Sequence, residues 1–222
     1  MKKSIVILFC VMIGFVPAKA QEYLYEAGVG TGISSAYGDL NQSGFFYHPK
    51  PVFEAHFRYK YNLRWAFTGE FLSAGLAGKS KDFSNQFPNG AVYRFDNRLW
   101  QISGNAEFNF FNYGIGADYR NMSRISPFVS VGVGLGMVSG GASGEFSFSL
   151  PLGAGVKYKF APRWNLIAKM VFAKTFTDMA DGIEDPYAIE SSGAKNTDWY
   201  STLQVSVSYE FGLRKRKCNN LD

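Results

Sequence analysis

From Trp100 to Phe110 the chain alternates between apolar and polar side chains without a break. Trp100, Ile102, Gly104, Ala106, Phe108 and Phe110 take one side, and Gln101, Ser103, Asn105, Glu107 and Asn109 take the other. Successive side chains of a strand point to opposite faces, so this strand has one apolar face and one polar face that carries a charge. Other segments repeat the pattern, and their apolar faces end in Trp, Tyr and Phe. A barrel in water would turn such a face inward. A wall of this kind looks outward into lipid, with aromatic girdles at the two interfaces, and the aromatic content of 17% fits that wall.

The first residues point to export. Lys2 and Lys3 precede an apolar run from Ile5 to Val16, followed by Pro17, Ala18, Lys19 and Ala20. A basic start, a short apolar core and an Ala-x-Ala site describe a signal peptide, and the run is shorter than the roughly 20 residues a helix needs to span a bilayer. Residues 1–20 are therefore read as signal peptide, 21–213 as an outer-membrane β-barrel and 214–222 as a basic periplasmic tail. Cys10 lies inside the apolar core without a lipobox, so only Cys218 remains after cleavage and no internal disulfide is possible. Removing Lys2, Lys3 and Lys19 from the 23 basic residues leaves 20 against 18 acidic ones, a net charge of +2. Arg214, Lys215, Arg216 and Lys217 form a short run, not the aromatic-interleaved face that nucleic acid requires, so no nucleic-acid partner is expected.

Eight segments read as strands. Tyr23–Tyr37 turns Glu26, Gly28, Gly30 and Gly32 inward, and Val52–Tyr61 alternates Phe53, Ala55, Phe57 and Tyr59 with Glu54, His56, Arg58 and Lys60. The third begins at Trp65, and the fourth ends at Glu107–Phe111. The fifth runs over about Pro127–Met137, the sixth carries Leu152 to Phe160, the seventh Trp164 to Phe172 and the eighth Ser201 to Phe211. Each offers the roughly 9–11 residues needed to cross obliquely. The fold expected is an all-β, eight-stranded antiparallel up-and-down transmembrane barrel. Inward glycines match its narrow interior, and inward Glu54, Arg58, Glu70, Glu107, Lys157, Lys169 and Glu210 are expected to pair across a polar, plugged lumen. A charge should be worse tolerated at outward Val205 than at inward Ser206.

Connection lengths orient such a barrel. Asn62–Arg64 and Ala161–Arg163 are tight; Gly38–Pro51, Gly78–Asn97, Val138–Ser149 and Thr177–Thr197 are long. Short turns belong to the periplasm and long loops to the outside, so both termini are expected in the periplasm. By the same parity Asn112–Ser126 is periplasmic yet long, which makes it, with Arg120 and Arg124 and the Arg214–Lys217 tail, a candidate partner contact. Other motifs fail. Gly28-x-Gly-x-Gly32 and Gly132-x-Gly-x-Gly136 lack the helix of a dinucleotide site, and His48 and His56 form no recognisable metal or catalytic set. Asp178, Asp181, Glu184 and Asp185 do not follow the EF-hand spacing. No cofactor, metal or small-molecule substrate is expected.

Several stretches together resemble the PorG family of Bacteroidota: Glu107-Phe-Asn-Phe-Phe111, Gly153-Ala-Gly-Val-Lys-Tyr-Lys159, Thr175-Phe-Thr-Asp178 followed by Asp181, Asp198-Trp-Tyr200 and Tyr37-Gly-Asp39. The resemblance implies a non-enzymatic outer-membrane barrel of the type IX secretion apparatus, associated from the periplasmic side with the ring of the PorK lipoprotein and PorN. The alternative is a stand-alone, OmpA-like small barrel in outer-membrane lipid that stabilises the membrane or binds ligands through its outer loops.

Overall fold

A computed structural model describes residues 23–37, 49–79, 94–114, 122–139, 145–176 and 199–213. The signal segment, the Arg214–Lys217 tail, His48 and the Asp178–Asp185 loop lie outside them. Eight strands form one closed barrel: β1 (Tyr23–Tyr37), β2 (Lys50–Lys60), β3 (Trp65–Lys79), β4 (Arg94–Asn109), β5 (Ile125–Ser139), β6 (Glu145–Ala161), β7 (Trp164–Thr175) and β8 (Trp199–Leu213). Every strand pairs antiparallel with its sequence neighbours, and β1 closes on β8 with Tyr23 opposite Leu213 and Tyr37 opposite Trp199.

The alternation read from the sequence is the alternation of the wall. Phe57, Val131 and Val205 are 49%, 56% and 49% exposed, whereas Glu54, Glu107 and Glu210 are 4%, 4% and 2% exposed. Polarity is thus inverted relative to a soluble barrel, as lipid outside the wall demands. The start of β1, the end of β8 and both tight turns share one rim, called here the near rim. At the β2–β3 turn the Asn62 Oδ1 accepts from the backbone N–H of Arg64 (2.8 Å) and Trp65 (2.7 Å), the side-chain mimicry of a turn that favours asparagine there. At the β6–β7 turn Ala161 pairs with Trp164, so Pro162 and Arg163 alone reverse the chain.

Three differences from the sequence reading have physical causes. β6 starts at Glu145, inside the stretch read as the loop Val138–Ser149. Phe146, Phe148 and Leu150 do alternate with Ser147 and Ser149, but Pro151 interrupts the pattern and reads as a strand breaker. In the barrel Pro151 falls where the β5–β6 ladder skips from Val131–Leu152 to Gly134–Ser149, so the ladder is interrupted at the residue that has no N–H to donate and resumes beyond it. Second, the lumen is not polar throughout. Val52, Leu72, Ala74, Leu76, Leu99, Ala173 and Tyr200 form an apolar plug near the far rim. These residues sit on the inward parity, where apolar side chains attract no notice in a search for outward apolar faces. Third, Ser206 is only 2% exposed, and a Cβ on Gly30 would lie 2.5 Å from the Ser206 Cβ. Ser206 is inward as expected, but packed, so an arginine there enters a crowded lumen and the contrast with Val205 does not isolate lipid from interior.

Depth therefore supplies the sharper test of the outward face. Val205→Arg, at mid-strand, is expected to cost about 2–4 kcal/mol, and Leu213→Arg, at the near rim, about 0–1 kcal/mol. Urea titration of the barrel in phospholipid vesicles reads both, and equal costs would contradict a lipid-facing wall.

Candidate functional site

The lumen, from the near rim upward, holds a network of charged and polar groups supplied by seven strands, all but β5. Arg58 from β2 sits at its centre. Its Nη1 bonds the Glu26 Oε1 of β1, while Nε (2.9 Å) and Nη2 (3.1 Å) grip the two carboxylate oxygens of Glu107 from β4. Fork-on-carboxylate geometry of this kind adds direction as well as energy. The same Glu107 accepts from the Thr68 Oγ1 (2.7 Å) and the Lys157 Nζ (2.5 Å), and the Ser208 Oγ donates to the Glu26 Oε1 (2.5 Å). Beside it, the Glu210 Oε1 receives Lys60, Lys159 and the Asn165 Nδ2, the last at 3.0 Å. Farther up, the Lys169 Nζ lies 2.7 Å from both Glu54 and Glu70, and the His56 Nδ1 is 3.5 Å from Glu54.

Among the described residues these carboxylates, Glu26, Glu54, Glu70, Glu107 and Glu210, are matched one for one by Arg58, Lys60, Lys157, Lys159 and Lys169. This paired set carries no net formal charge. Between the ionic half and the apolar plug a cavity of about 20 Å³ remains, lined by Glu70, Gln101, Lys169, Tyr200 and Gln204 among others. That is room for about one water. Over the described residues the interior is packed with side chains, as expected from the sequence.

The near rim carries the surface. The two described ends of the long Asn112–Ser126 connection meet at the mouth, with Tyr113 bridged to Ser123, the Gly114 N–H on the Ser123 carbonyl (3.0 Å) and the Ser123 N–H on the Asn112 carbonyl (2.8 Å). Tyr113, 8% exposed, donates its hydroxyl to the Asn165 Oδ1 (2.7 Å), and the Lys159 Nζ lies 5.4 Å from its ring. Burial pushes this phenol's pKa well above its ordinary value, and Glu26 and Glu210 push it further. Part of the connection's length is thus spent on stoppering the barrel. Sequence spacing shows an excess of residues there, but only the fold shows one of them inserted.

Each connection at this rim contributes an arginine: Arg64, Arg124 and Arg163. Arg124, expected from the sequence as a contact residue, is exposed, and its carbonyl accepts the Lys159 N–H at 2.8 Å. Arg64 is exposed too, with its Nε 3.4 Å from the Asn112 Oδ1. Arg120, Arg214, Lys215, Arg216 and Lys217 lie outside the described residues. Arg163 was not singled out by the sequence, because a turn arginine acquires meaning only when the register shows which aromatic side chains flank it.

With this geometry in place, comparison with known proteins is informative. The family model described as "outer membrane protein beta-barrel domain" matches residues 6–211. No curated protein sequence matches the chain. Among solved structures, the Neisserial surface protein A aligns at TM-score 0.54 and 16% identity, covering 84% of this chain and 97% of its own. The attachment invasion locus protein Ail of Yersinia pestis, solved with a heparin analogue, aligns at TM-score 0.48 and 16% identity over 86% and 99% of the two chains. The N-terminal barrel domain of Pseudomonas aeruginosa OprF aligns at 0.43 and 13%, over 86% and 100%. At these identities the likeness is one of fold.

Two measurements test the lumen. Glu107→Ala strands Arg58 and Lys157 in a dry interior, and removing one partner of a buried pair is expected to cost about 3–5 kcal/mol. The companion variant Arg58→Met should be strongly non-additive with it in urea unfolding; simple additivity would mean the two groups do not interact. Tyr113→Phe removes the hydroxyl from Asn165 and should cost about 1–2 kcal/mol at neutral pH. Because the folded phenol holds its proton more tightly than the unfolded one, the wild type should lose more stability than Tyr113→Phe as pH rises above about 10. The gap between wild type and Tyr113→Phe should therefore narrow in alkali, and a gap that widens would refute the buried phenol.

Proposed function

Because the chain belongs to the outer membrane protein beta-barrel domain family, we propose that it is a non-enzymatic structural barrel that presents its near rim to the periplasm. It then anchors a periplasmic assembly to the outer membrane. The observation that carries this reading is the division of the molecule into a sealed lumen and a built near rim. Paired charges, an apolar plug and inserted Tyr113 leave no conduit among the described residues, a shape that does not favour transport. The near rim, by contrast, holds a connection longer than closure needs and an arginine on every turn. The stretches that resemble the PorG family support a finer form: a part of the type IX secretion apparatus joined to the PorK–PorN ring through Arg120, Arg124 and the Arg214–Lys217 tail. In that orientation both termini are periplasmic.

A second reading has its own support. The lumenal charges pair with one another and need no partner outside the barrel, as a stand-alone OmpA-like barrel that stabilises the membrane would require. Co-purification separates the two. Arg120→Glu with Arg124→Glu should weaken recovery of ring components several-fold while the barrel still assembles, and deletion of residues 80–93 at the far rim should leave recovery unchanged. Loss on the deletion together with full recovery on the charge reversals would sink anchoring through this connection. Normal secretion of type IX cargo by a strain lacking the protein would remove the secretion role and leave the stand-alone barrel.

A further inference from the structure

At the seam where β7, β8 and β1 meet, the near rim carries a guanidinium held between two phenols. Arg163 leaves the Pro162–Arg163 turn with its Nε donating to the Tyr23 hydroxyl (2.8 Å) and its Nη1 to the Tyr209 hydroxyl (2.9 Å), and its Cζ lies 5.0 Å from the Tyr23 ring centre. Trp164 packs edge-on against Tyr209 at 5.1 Å, so the cluster belongs to the outward aromatic girdle. The hydrogen bonds raise the guanidinium's pKa, Tyr209 first and Tyr23 second, so its charge is permanent. Among the described residues no carboxylate pairs with it: adjacent Glu210 points inward and is taken by Lys60, Lys159 and Asn165.

The donor count is the chemical clue. A guanidinium has five N–H donors, and two are spent on the phenols. Each phenol oxygen accepts from Arg163, which leaves its own O–H to donate. The site therefore offers three N–H and two O–H donors at the headgroup level, all wanting an anionic oxygen acceptor, and fork-shaped donors suit phosphate. The chain continues from Leu213, the Cα partner of Tyr23, into Arg214–Lys217, so further positive charge starts from the same seam.

We propose that Arg163, Tyr23 and Tyr209 form a binding site for the phosphodiester of an anionic phospholipid. The site is outward, at the level of the aromatic girdle, and its occupant is a lipid of the adjoining leaflet. Only the leaflet assignment, a phospholipid leaflet facing the periplasm, rests on the orientation proposed above; the binding chemistry does not. Nanodiscs present phospholipid on both faces, so the experiment stands whichever way the barrel points.

The full chain is assembled in nanodiscs of phosphatidylcholine with a minor fraction of phosphatidylglycerol, released in the gas phase, and its retained lipids are counted by native mass spectrometry. The wild type should retain phosphatidylglycerol preferentially. Arg163→Gln should lower that retention well beyond the roughly fivefold that any one basic residue near a membrane surface is worth. Arg64→Gln, which removes an equal charge from the same rim outside the site, should lower it by no more than that general factor. A seam staple without lipid binding would show no change in retention for Arg163→Gln, and that result overturns the proposal. Equal losses for both variants would overturn it in favour of diffuse rim charge. Displacement of the lipid by millimolar inorganic phosphate would mean a free-anion site instead. Should Arg163→Gln fail the heat-shift test of assembly, Tyr23→Phe with Tyr209→Phe decides: it keeps the rings and the charge but loses both hydroxyls. Reduced retention in that variant supports the site, and full retention overturns it.

Discussion

The seam between β1 and β8 is the constraint on which the rest of the barrel depends. Hydrocarbon offers backbone N–H and C=O groups no partner, so a sheet in a bilayer must close on itself. Closure with eight strands makes the interior narrow, and β1 meets its neighbours closely where it is rich in glycine. A Cβ on Gly32 would lie 2.0 Å from the Leu203 carbonyl oxygen, and one on Gly28 would lie 2.7 Å from the His56 imidazole. The space that β1 leaves free is filled from β2, where Glu54, His56 and Arg58 reach inward. The glycines of one strand and the long charged side chains of the next are two halves of one packing solution.

A lumen of paired charges is not the most stabilising filling available, since well-packed apolar side chains often do as well as buried ion pairs. Its value lies in specificity. A one-residue slip of any strand would exchange its two faces. With an apolar interior that exchange would put hydrocarbon side chains where hydrocarbon side chains had been. With this interior it would put Glu26, Arg58, Glu107 or Lys157 into lipid and leave their partners alone inside. The network also ties strands that share no ladder: Arg58 of β2 to Glu107 of β4, Lys157 of β6 to the same Glu107, and Lys159 of β6 to Glu210 of β8. Cross-lumen ties hold a small barrel in shape where ladder hydrogen bonds act only between neighbours.

The two rims are treated differently. The far end of the lumen is closed by apolar packing around Tyr200, whose hydroxyl reaches the Gln101 Oε1 at 2.5 Å. The near end is closed by a segment outside the strands, through Tyr113 on Asn165. A stopper built from a connection couples the lumen to the near-rim surface, because the same few residues form the mouth and lie beside Arg124. That continuity gives a physical route by which a partner on the rim would bear on the barrel, and the reverse.

Face assignment was legible in the sequence because it needs only the period of two and the identity of the solvent. Phe53, Phe57 and Tyr59 against Glu54, His56 and Arg58 fix which side of β2 is which, and apolar outside with charge inside fixes lipid as the solvent. Tight turns at Asn62–Arg64 and Ala161–Arg163 were legible for the same local reason. What the sequence alone left open is everything that depends on which strands come together across space. That Glu107 bonds Arg58 and Lys157, that Pro151 falls in a gap of the ladder, that Tyr113 enters the mouth and that Arg163 lies between Tyr23 and Tyr209 are all consequences of register and closure. Periodicity tells each residue its face; only the closed sheet, with its stagger of strand against strand, tells it its neighbour.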